Sequence, residues 1–266
     1  MKRRHLFEFE DFGWFPSSLR NLMTDYLRHV VVQFRLYEPV IPLLKHLLKA
    51  TQTTSIVDLA SGGGGPWQAL APVLAKEVPG LDIRLTDLYP NRNALQSVCE
   101  SAPETLSTNE DPVNALQVPP HLKGLRTQFL LLHHFRPDQV QAIFRNAIDA
   151  QQPIATFEFQ DRTWAHALQF AFSPLFVCLL TLRIRPFTLK RLFFTYVLPI
   201  VPFFIMWDGV VSVLRTYRSA ELKTLLAEMP ESLRYKWEIA TVKQGTVTLN
   251  YVLGQPKEMV ATRPED

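Results

Sequence analysis

The residues best suited to chemistry lie in one short stretch, where Asp58-Leu-Ala-Ser is followed by four glycines at positions 62 to 65. Glycines directly after a strand let the backbone approach a ligand closely, because they carry no Cβ. The helix that follows presents free N–H groups at its N-terminus, which bind anionic or polar ligand groups. The run predicts a ligand-binding turn, although a tight turn between a strand and a helix also uses glycines for structural reasons alone.

A second feature favours the ligand-binding interpretation. Asp87 ends the next predicted strand, roughly 20 residues or more beyond the glycine run. An acidic residue at this place accepts hydrogen bonds from the ribose hydroxyls of a bound cofactor. Together, Asp58, the glycines and Asp87 predict a site for a cofactor that contains ribose.

The elements that would position these residues alternate between strand and helix. Short apolar runs predict strands, and apolar residues at three-to-four spacing predict helices. Such alternation is typical of a parallel sheet covered by helices on both faces. The predicted strands are 55–60, 81–86, 127–132 and 154–159, and the predicted helices are 17–49 with breaks at Pro39 and Pro42, 67–78, 91–99 and 137–150.

The C-terminal part of the chain changes pattern. A helical segment at 219–228 precedes 235–239 and 246–253, which alternate like two strands joined by a turn at Gln244-Gly245. An antiparallel strand pair that completes the parallel sheet accounts for this pattern. The predicted fold class is therefore α/β, with a mostly parallel sheet and an antiparallel C-terminal pair.

Two motifs resemble those of class I S-adenosylmethionine-dependent methyltransferases. The stretch from Asp58 to Gly65 looks like their first motif, acidic-x-Gly-x-Gly-x-Gly, with Ala60 in place of the first glycine. Residues 130–135, Leu-Leu-Leu-His-His-Phe, are similar to the His-His-Phe that follows strand four in many small-molecule methyltransferases. The resemblance covers residues 55–160. It implies a Rossmann-like fold and S-adenosylmethionine as cofactor, bound by Asp58, Ala60, Gly62, Gly64 and Asp87, with Asp87 on the ribose.

The resemblance also indicates where the adenine would lie. In this family a residue after strand three contacts the adenine amino group, and Pro112-Val-Asn114-Ala looks like that element. Asn114 replaces the usual acid, and Glu110 and Asp111 are nearby alternatives. A dinucleotide-binding site is disfavoured, because Trp67 stands where that fingerprint needs a third glycine for close packing of helix and strand.

The expected chemistry asks little of the protein's side chains. Methyl transfer from a sulfonium depends mainly on alignment, because the cofactor is already activated. A hydroxyl acceptor benefits from a base, and His133 and His134 at the carboxyl edge of the sheet are the candidates. Each of them could instead cap the strand end. Glu158, at the end of strand five, is the third candidate, with a salt bridge to Arg162 as the alternative.

A hydrophobic insertion follows strand five. No charged residue occurs at 164–182, then Arg183, Arg185, Lys190 and Arg191 come together, and 192–207 is again uncharged. Apolar faces in the headgroup region, with the four cations on lipid phosphates, fit this distribution. A two-span hairpin would place these cations against the positive-inside tendency. A dimer interface or a canopy over the substrate are further alternatives.

The aromatic N-terminal segment, 10–16, is the other unusual feature. In related enzymes such segments fold over the active site as a lid, which would place Trp14 against the substrate. The alternative is a hydrophobic plug on the sheet. The predicted division of the chain is an N-terminal helical lid at 1–50, a cofactor-binding core at 51–163, a hydrophobic helical insertion at 164–215 and a C-terminal completion of the sheet at 216–266.

The net charge and the cysteine pattern disfavour several classes of partner and ligand. The net charge of +3 is mild, and the basic residues form no stripe with interleaved aromatics, which disfavours nucleic acid. Cys99 and Cys178 have no metal-ligand spacing, so no metal or disulfide framework is expected. A reducing cytoplasm fits, and the basic N-terminus is followed by acids instead of the apolar core of a signal peptide.

The sequence thus predicts methyl transfer to a small hydrophobic or membrane-derived acceptor, by a cytoplasmic protein associated with the inner face of the membrane. A homodimer is possible. Two alternatives stay open: a non-catalytic membrane-associated scaffold that retains the fold, and a soluble dimeric methyltransferase for small molecules.

Overall fold

The computed structural model describes residues 1–109, 111–245 and 247–257. Within these residues seven strands form one sheet in the order β3-β2-β1-β4-β5-β7-β6. Strands β1 to β5 are parallel, and β7 is antiparallel to both β5 and β6. The strands are β1 Ser55–Leu59, β2 Asp82–Thr86, β3 Leu106–Thr108, β4 Leu125–Phe129, β5 Ile154–Glu158, β6 Tyr235–Gln244 and β7 Val247–Pro256. The prediction of a mostly parallel sheet with an antiparallel C-terminal pair is confirmed.

Helices surround this sheet at the predicted places. Short 3-10 turns also occur at Phe9–Asp11, Glu38–Val40, Leu132–His134 and Pro230–Arg234, and a π-helix at Phe193–Val197. The α-helices are α1 Ser17–Gln33, α2 Ile41–Ala50, α3 Trp67–Glu77, α4 Arg92–Glu100, α5 Pro137–Asp149, α6 Trp164–Ala171, α7 Ser173–Thr181, α8 Leu189–Leu192, α9 Ile200–Arg215 and α10 Ser219–Ala227.

Besides shifts of a few residues at the ends of other strands, two features of the sheet differ from the prediction. Strand β4 ends at Phe129, not at residue 132, because Leu130 adopts a left-handed φ of 53° that turns the chain out of the sheet. Residues Leu132–His134 then form a 3-10 turn at the sheet's carboxyl edge. The three-residue edge strand Leu106–Thr108 was not predicted, since only one of its residues is buried.

The hydrophobic core lies on both sides of the sheet. One cluster includes Leu44 of α2, Leu74 of α3 and Ile83 of β2. The other includes Phe144 of α5 and Leu226 of α10. Strands buried on both faces are expected where helices cover both sides of a parallel sheet, so the predicted helical layers are confirmed.

The strand order reverses between β1 and β4. Strands β2 and β3 follow β1 on one side, while β4 and β5 lie on the other. In open parallel sheets, ligands bind outside the carboxyl ends of the strands at such a switch point. The glycine run after β1 and the two histidines after β4 therefore lie at the expected crevice.

Residues 164–215 form broken helices. The first pair, Trp164–Ala171 and Ser173–Thr181, bends by 44°, and the second, Leu189–Val197 and Ile200–Arg215, bends by 74°. In the described part of the chain, no single helix is long and apolar enough to cross a bilayer, while these two bent pairs have sufficient length and composition. The division of the chain at residues 50, 163 and 215 stays a prediction.

Candidate active site at the switch point of the sheet

A cavity of about 570 Å³ lies at the carboxyl ends of β1, β2 and β4. Its size is that of a pocket for a small molecule or cofactor. Glu158 and Gly64 are not among its lining residues. The predicted site residues that line it are Asp58, Ala60, Gly62, Asp87, Asn114, His133 and His134.

The glycine turn owes its shape to left-handed backbone. Ala60 has a φ of 61°, Gly62 of 56° and Gly64 of 100°. Gly64 lies against α4, where an added Cβ would come within 2.6 Å of Val98 Cγ2. Gly64 is therefore required for packing of the turn on α4, and Gly62 for the conformation of the turn.

Asp58 fixes the base of this turn. Its buried carboxylate accepts hydrogen bonds from Ser61 Oγ at 2.6 Å and Thr127 Oγ1 at 2.7 Å. Burial raises the pKa of Asp58 to about 7. These contacts connect β1, the glycine turn and β4, so the geometry gives Asp58 a positioning part at the edge of the cavity.

Asp87 joins the glycine turn to the end of β2. The backbone N–H of Gly62 donates to Asp87 Oδ2 and that of Tyr89 to Asp87 Oδ1, both at 2.7 Å. Each carboxylate oxygen has a further lone pair, so the group can also accept from ribose hydroxyls. Burial raises the pKa of Asp87.

Asn114 is held next to Asp87 through its neighbour Val113. The Val113 N–H donates to the Asp87 carbonyl at 2.9 Å, and Asn114 Oδ1 accepts from the Leu116 N–H at 2.9 Å. Asn114 therefore lies in the cavity wall beside Asp87. Of the two alternatives, Asp111 is exposed and does not line the cavity, and Glu110 lies outside the described residues.

The two histidines have different partners. His133 is buried, with Nδ1 at 2.9 Å from Glu158 Oε2, whereas His134 Nδ1 is 2.8 Å from Asp11 Oδ1. The alternative of a Glu158–Arg162 salt bridge is wrong, because Arg162 pairs with Glu221 at 2.7 Å. Glu158 lies behind His133 as seen from the cavity and contacts its ring.

Burial holds His133 in the neutral form. It lowers the pKa of His133 to about 3, and the nearby positive charge of Arg215 acts in the same direction. Burial raises the pKa of Glu158 to about 7, and the backbone N–H groups of residues 131 to 133 act in the opposite direction. When Glu158 is ionised, the His133 proton lies on Nδ1 and is donated to Glu158, and Nε2 is the unprotonated nitrogen.

Arg215, the last residue of α9, joins the histidine turn to the N-terminal segment. Its buried guanidinium donates to the carbonyls of His133 at 3.0 Å and His134 at 2.5 Å, and to Asp11 Oδ2 at 2.6 Å. It also lies 3.2 Å from Glu8 Oε1. Sequence reasoning missed this residue, because nothing in the local pattern distinguishes it from any cation in the last turn of a helix.

The N-terminal segment covers the cavity with acidic residues. Glu8, Glu10 and Asp11 line it, and the N–H groups of Phe9 and Glu10 donate to Asp208 of α9. Trp14 was expected against the substrate or on the sheet. It is instead 69 % exposed and stacked on Phe12, so neither expectation for Trp14 holds.

Arg20 is a second cation that sequence reasoning missed. It is buried at the cavity, donates to the Phe12 carbonyl at 2.6 Å and lies over the ring of Tyr89 at 4.6 Å. Its charge lowers the pKa of both Glu10 and Asp87, opposing the larger effect of burial. The helical pattern of α1 indicated only a buried face.

Glu8, His133 and His134 offer ligand-type atoms within 4.8 Å of one another. The guanidinium of Arg215 lies 3.2 Å from Glu8 Oε1. Arg215 therefore supplies the positive charge beside Glu8 that a metal ion would otherwise supply. Burial also raises the pKa of Glu8 to about 7, which favours the neutral acid. We therefore derive no metal site from this cluster.

No family model and no curated protein matches the sequence. Solved structures do. LaPhzM aligns with a TM-score of 0.55 at 14% identity, over 94% of this chain and 62% of that one. The mitomycin 7-O-methyltransferase MmcR aligns with a TM-score of 0.54 at 14% identity, over 92% of this chain and 60% of that one. The chain has the class I methyltransferase fold.

Identity this low shows the fold alone, and the chain matches less than two thirds of the length of either protein. Within the methyltransferase fold, the glycine turn after β1, the acid after β2 and the turn after β4 surround one cavity here. The resemblance read from residues 55–160 therefore agrees with the observed fold.

Ala60, which stands in place of the first glycine of the motif, generates a prediction about stability. An L-residue with a φ of 61° is strained, and glycine removes the strain while adding freedom to the unfolded chain. We expect Ala60→Gly to raise the free energy of unfolding by about 0.5–1 kcal/mol in urea titrations. Ala75→Gly in helix α3 is the control and should lower it by about 1 kcal/mol. Equal losses in both variants would contradict strain at Ala60.

The buried acids generate a second prediction. Burial raises the pKa of Glu8 to about 7, of Glu10 to about 8 and of Asp208 to about 7. Near neutral pH the folded state keeps protons on these acids that the unfolded state has already released. The free energy of unfolding therefore falls as the pH rises through these raised pKa values. We expect the free energy of unfolding to decrease by at least about 1 kcal/mol between pH 6.5 and 8.

Glu10→Gln tests the origin of that slope, because Glu10 Oε1 is buried without a hydrogen-bond partner. The variant should show a smaller loss of stability over the same range, measured by urea unfolding at each pH. Glu104→Gln, at an exposed position, is the matched control and should keep the wild-type slope. A slope that Glu10→Gln leaves unchanged would assign the effect to other groups.

Proposed function

We propose that the protein transfers a methyl group from S-adenosylmethionine to a hydroxyl group of a small hydrophobic acceptor. The observation that carries the proposal is one cavity that joins the Asp87 carboxylate and the glycine turn to the buried His133–Glu158 pair. The name of a similar structure, a mitomycin 7-O-methyltransferase, supports transfer to oxygen.

The residues present fit this cofactor. Gly62 and Gly65 leave the backbone of the turn without side chains, and both line the cavity. Asp87 would hold the ribose hydroxyls and Asn114 the adenine edge. Glu10 and Asp58 also line the cavity, and a ligand with a positive sulfonium and a positive amino group would favour their ionised forms.

Bound S-adenosylmethionine supplies an activated methyl group, so the protein mainly aligns the acceptor with it. His133 would accept the acceptor's hydroxyl proton at Nε2, since Nδ1 already donates to Glu158. The Glu158 carboxylate would stabilise the imidazolium that forms. Arg215 holds the carbonyl of His133 and thereby fixes the ring at the cavity wall.

The cofactor site is tested by calorimetric titration of the full chain with S-adenosylmethionine. We expect Asp87→Ala to weaken binding at least about tenfold, because charge-assisted hydrogen bonds to the ribose are lost. Asp82→Ala, at the exposed start of the strand that precedes Asp87, should bind as wild type does. A folded wild-type protein that binds no S-adenosylmethionine would refute the proposal and favour the non-catalytic scaffold.

The base is tested by transfer of tritiated methyl from S-adenosylmethionine into organic-extractable products of a lipid extract. We expect His133→Gln to lower kcat by about 10²- to 10⁴-fold, the usual contribution of a general base. His121→Gln, at an exposed position outside the cavity, is the control and should retain full activity.

The same assay has a pH readout. Burial raises the pKa of Glu158 to about 7. Protonation of Glu158 moves the His133 proton to Nε2, so wild-type kcat should fall as pH drops below about 7. Glu158→Gln keeps an acceptor for Nδ1–H and should lose this pH dependence. A wild-type profile retained by Glu158→Gln would remove Glu158 from the mechanism.

A further inference from the structure

Helices α6 to α9 carry large apolar side chains that point away from the protein. Leu189 is 81 % exposed, Trp164 78 % and Val197 72 %. Leu175 and Leu179 on α7 are also exposed. These side chains lie on helical elements that contact one another, and a large exposed apolar patch marks an interaction surface. We call the exposed side of residues 164–203 the apolar face.

The opposite side of the same helices is already packed. Val177 of α7 and Ile205 of α9 are buried in a cluster with Phe15 and Met23. Phe170 of α6 lies so close to α9 that a Cβ on Gly209 would be 2.4 Å from its ring. These helices are therefore apolar on two sides. One side packs against the protein, and the other, the apolar face, is covered by none of the described residues.

The charges beside this face have one sign. Arg183, Arg185 and Lys190 are exposed between the two bent helix pairs, and residues 164–207 contain no Asp or Glu. Arg191 was also expected on lipid phosphates, and that expectation is wrong. It is buried and bonded to Asp25 Oδ2 at 2.7 Å and to the Pro186 carbonyl at 2.6 Å.

We propose that the apolar face docks into the headgroup layer of a bilayer that contains anionic phospholipid. Exposed leucines enter the acyl boundary, while Arg183, Arg185 and Lys190 bind lipid phosphates. A second copy of the chain fits less well. In a symmetric dimer the face would meet itself, and the three cations would find no acid within it.

The docked helices also form one wall of the active-site cavity. Phe170, Ile205 and Gly209 line it from the side opposite the apolar face. A hydrophobic acceptor dissolved in the bilayer would then reach the cavity past α6 and α9 without crossing water. This step rests on the proposed function, whereas docking of the face does not.

The test is flotation of the full chain with vesicles of phosphatidylcholine alone, or with about one third phosphatidylglycerol. We expect binding to the anionic vesicles at low salt, and at least about tenfold weaker binding to the neutral ones. Leu175→Glu/Leu179→Glu should abolish binding to both. Arg183→Glu/Arg185→Glu should reduce binding to the anionic vesicles to the level on neutral ones.

Matched controls lie outside the apolar face, in β6 and the turn before it. Leu233→Glu changes a leucine that is at least as exposed as Leu175 and Leu179, and Lys236→Glu changes an exposed lysine, and both variants should bind vesicles as wild type does. Circular dichroism and S-adenosylmethionine titration of each variant show that fold and cofactor site are intact. Loss of vesicle binding with normal cofactor binding separates this proposal from the proposed function.

Two results would overturn the proposal. One is a wild-type protein that does not float with anionic vesicles. The other is a stable dimer in analytical ultracentrifugation that Leu175→Glu/Leu179→Glu converts to monomer, because the face would then be occupied by a second copy.

Discussion

The site depends on one buried cation. Arg215 is 1 % exposed, and a guanidinium removed from water is stable only when its donors are satisfied by acceptors and its charge by acids. Its partners come from two separate parts of the chain: the carbonyls of His133 and His134, and the carboxylates of Glu8 and Asp11. Because Arg215 ends α9, the insertion, the histidine turn and the N-terminal segment share a single anchor. A displacement of any of them would move the His133 carbonyl, and with it the proposed base at the cavity wall.

The cavity's electrostatics follow from how the acids are paired. Burial acts to raise the pKa of Asp11, but its hydrogen bonds with His134 and Arg215 and the charge of Arg215 lower it. Asp208 accepts from the backbone N–H groups of Phe9 and Glu10, whereas Glu10 Oε1 is buried without a hydrogen-bond partner, and burial raises the pKa of both acids. The wall nearest Arg215 is therefore charge-compensated, whereas the wall formed by Glu10 and Asp208 has acids in excess. A positively charged ligand would favour their ionised forms and so bind more tightly as they lose protons.

The fold was predictable from the sequence to the extent that local patterns determine it. The apolar run at 55–59 and the glycines after it specify strand, turn and helix together, and the C-terminal alternation specifies β6 and β7. The end of β4 was not predictable, because the left-handed backbone at Leu130 lies inside an apolar run that continues the strand pattern. The Arg215–Glu8 contact was equally hidden, since it joins residues far apart in the chain without any periodic signal. Ala60 illustrates the intermediate case, in which the motif indicated the turn and the φ of 61° explains why glycine usually stands there.

The composition of the hydrophobic insertion, residues 164–215, does not by itself determine the environment of its helices. A membrane span, a surface-bound hairpin and a dimer interface all need helices that are apolar on more than one side, and residues 164–207 satisfy all three. The packed arrangement separates them. Arg191 is paired inside the protein with Asp25, which removes one cation from the face, while Arg183, Arg185 and Lys190 are exposed in a segment, 164–207, that contains no Asp or Glu. Bends of 44° and 74° interrupt both pairs where a spanning helix would continue. An apolar surface beside exposed positive charge is complementary to anionic headgroups over acyl chains, which is the reason for proposing surface docking over a span or a dimer interface.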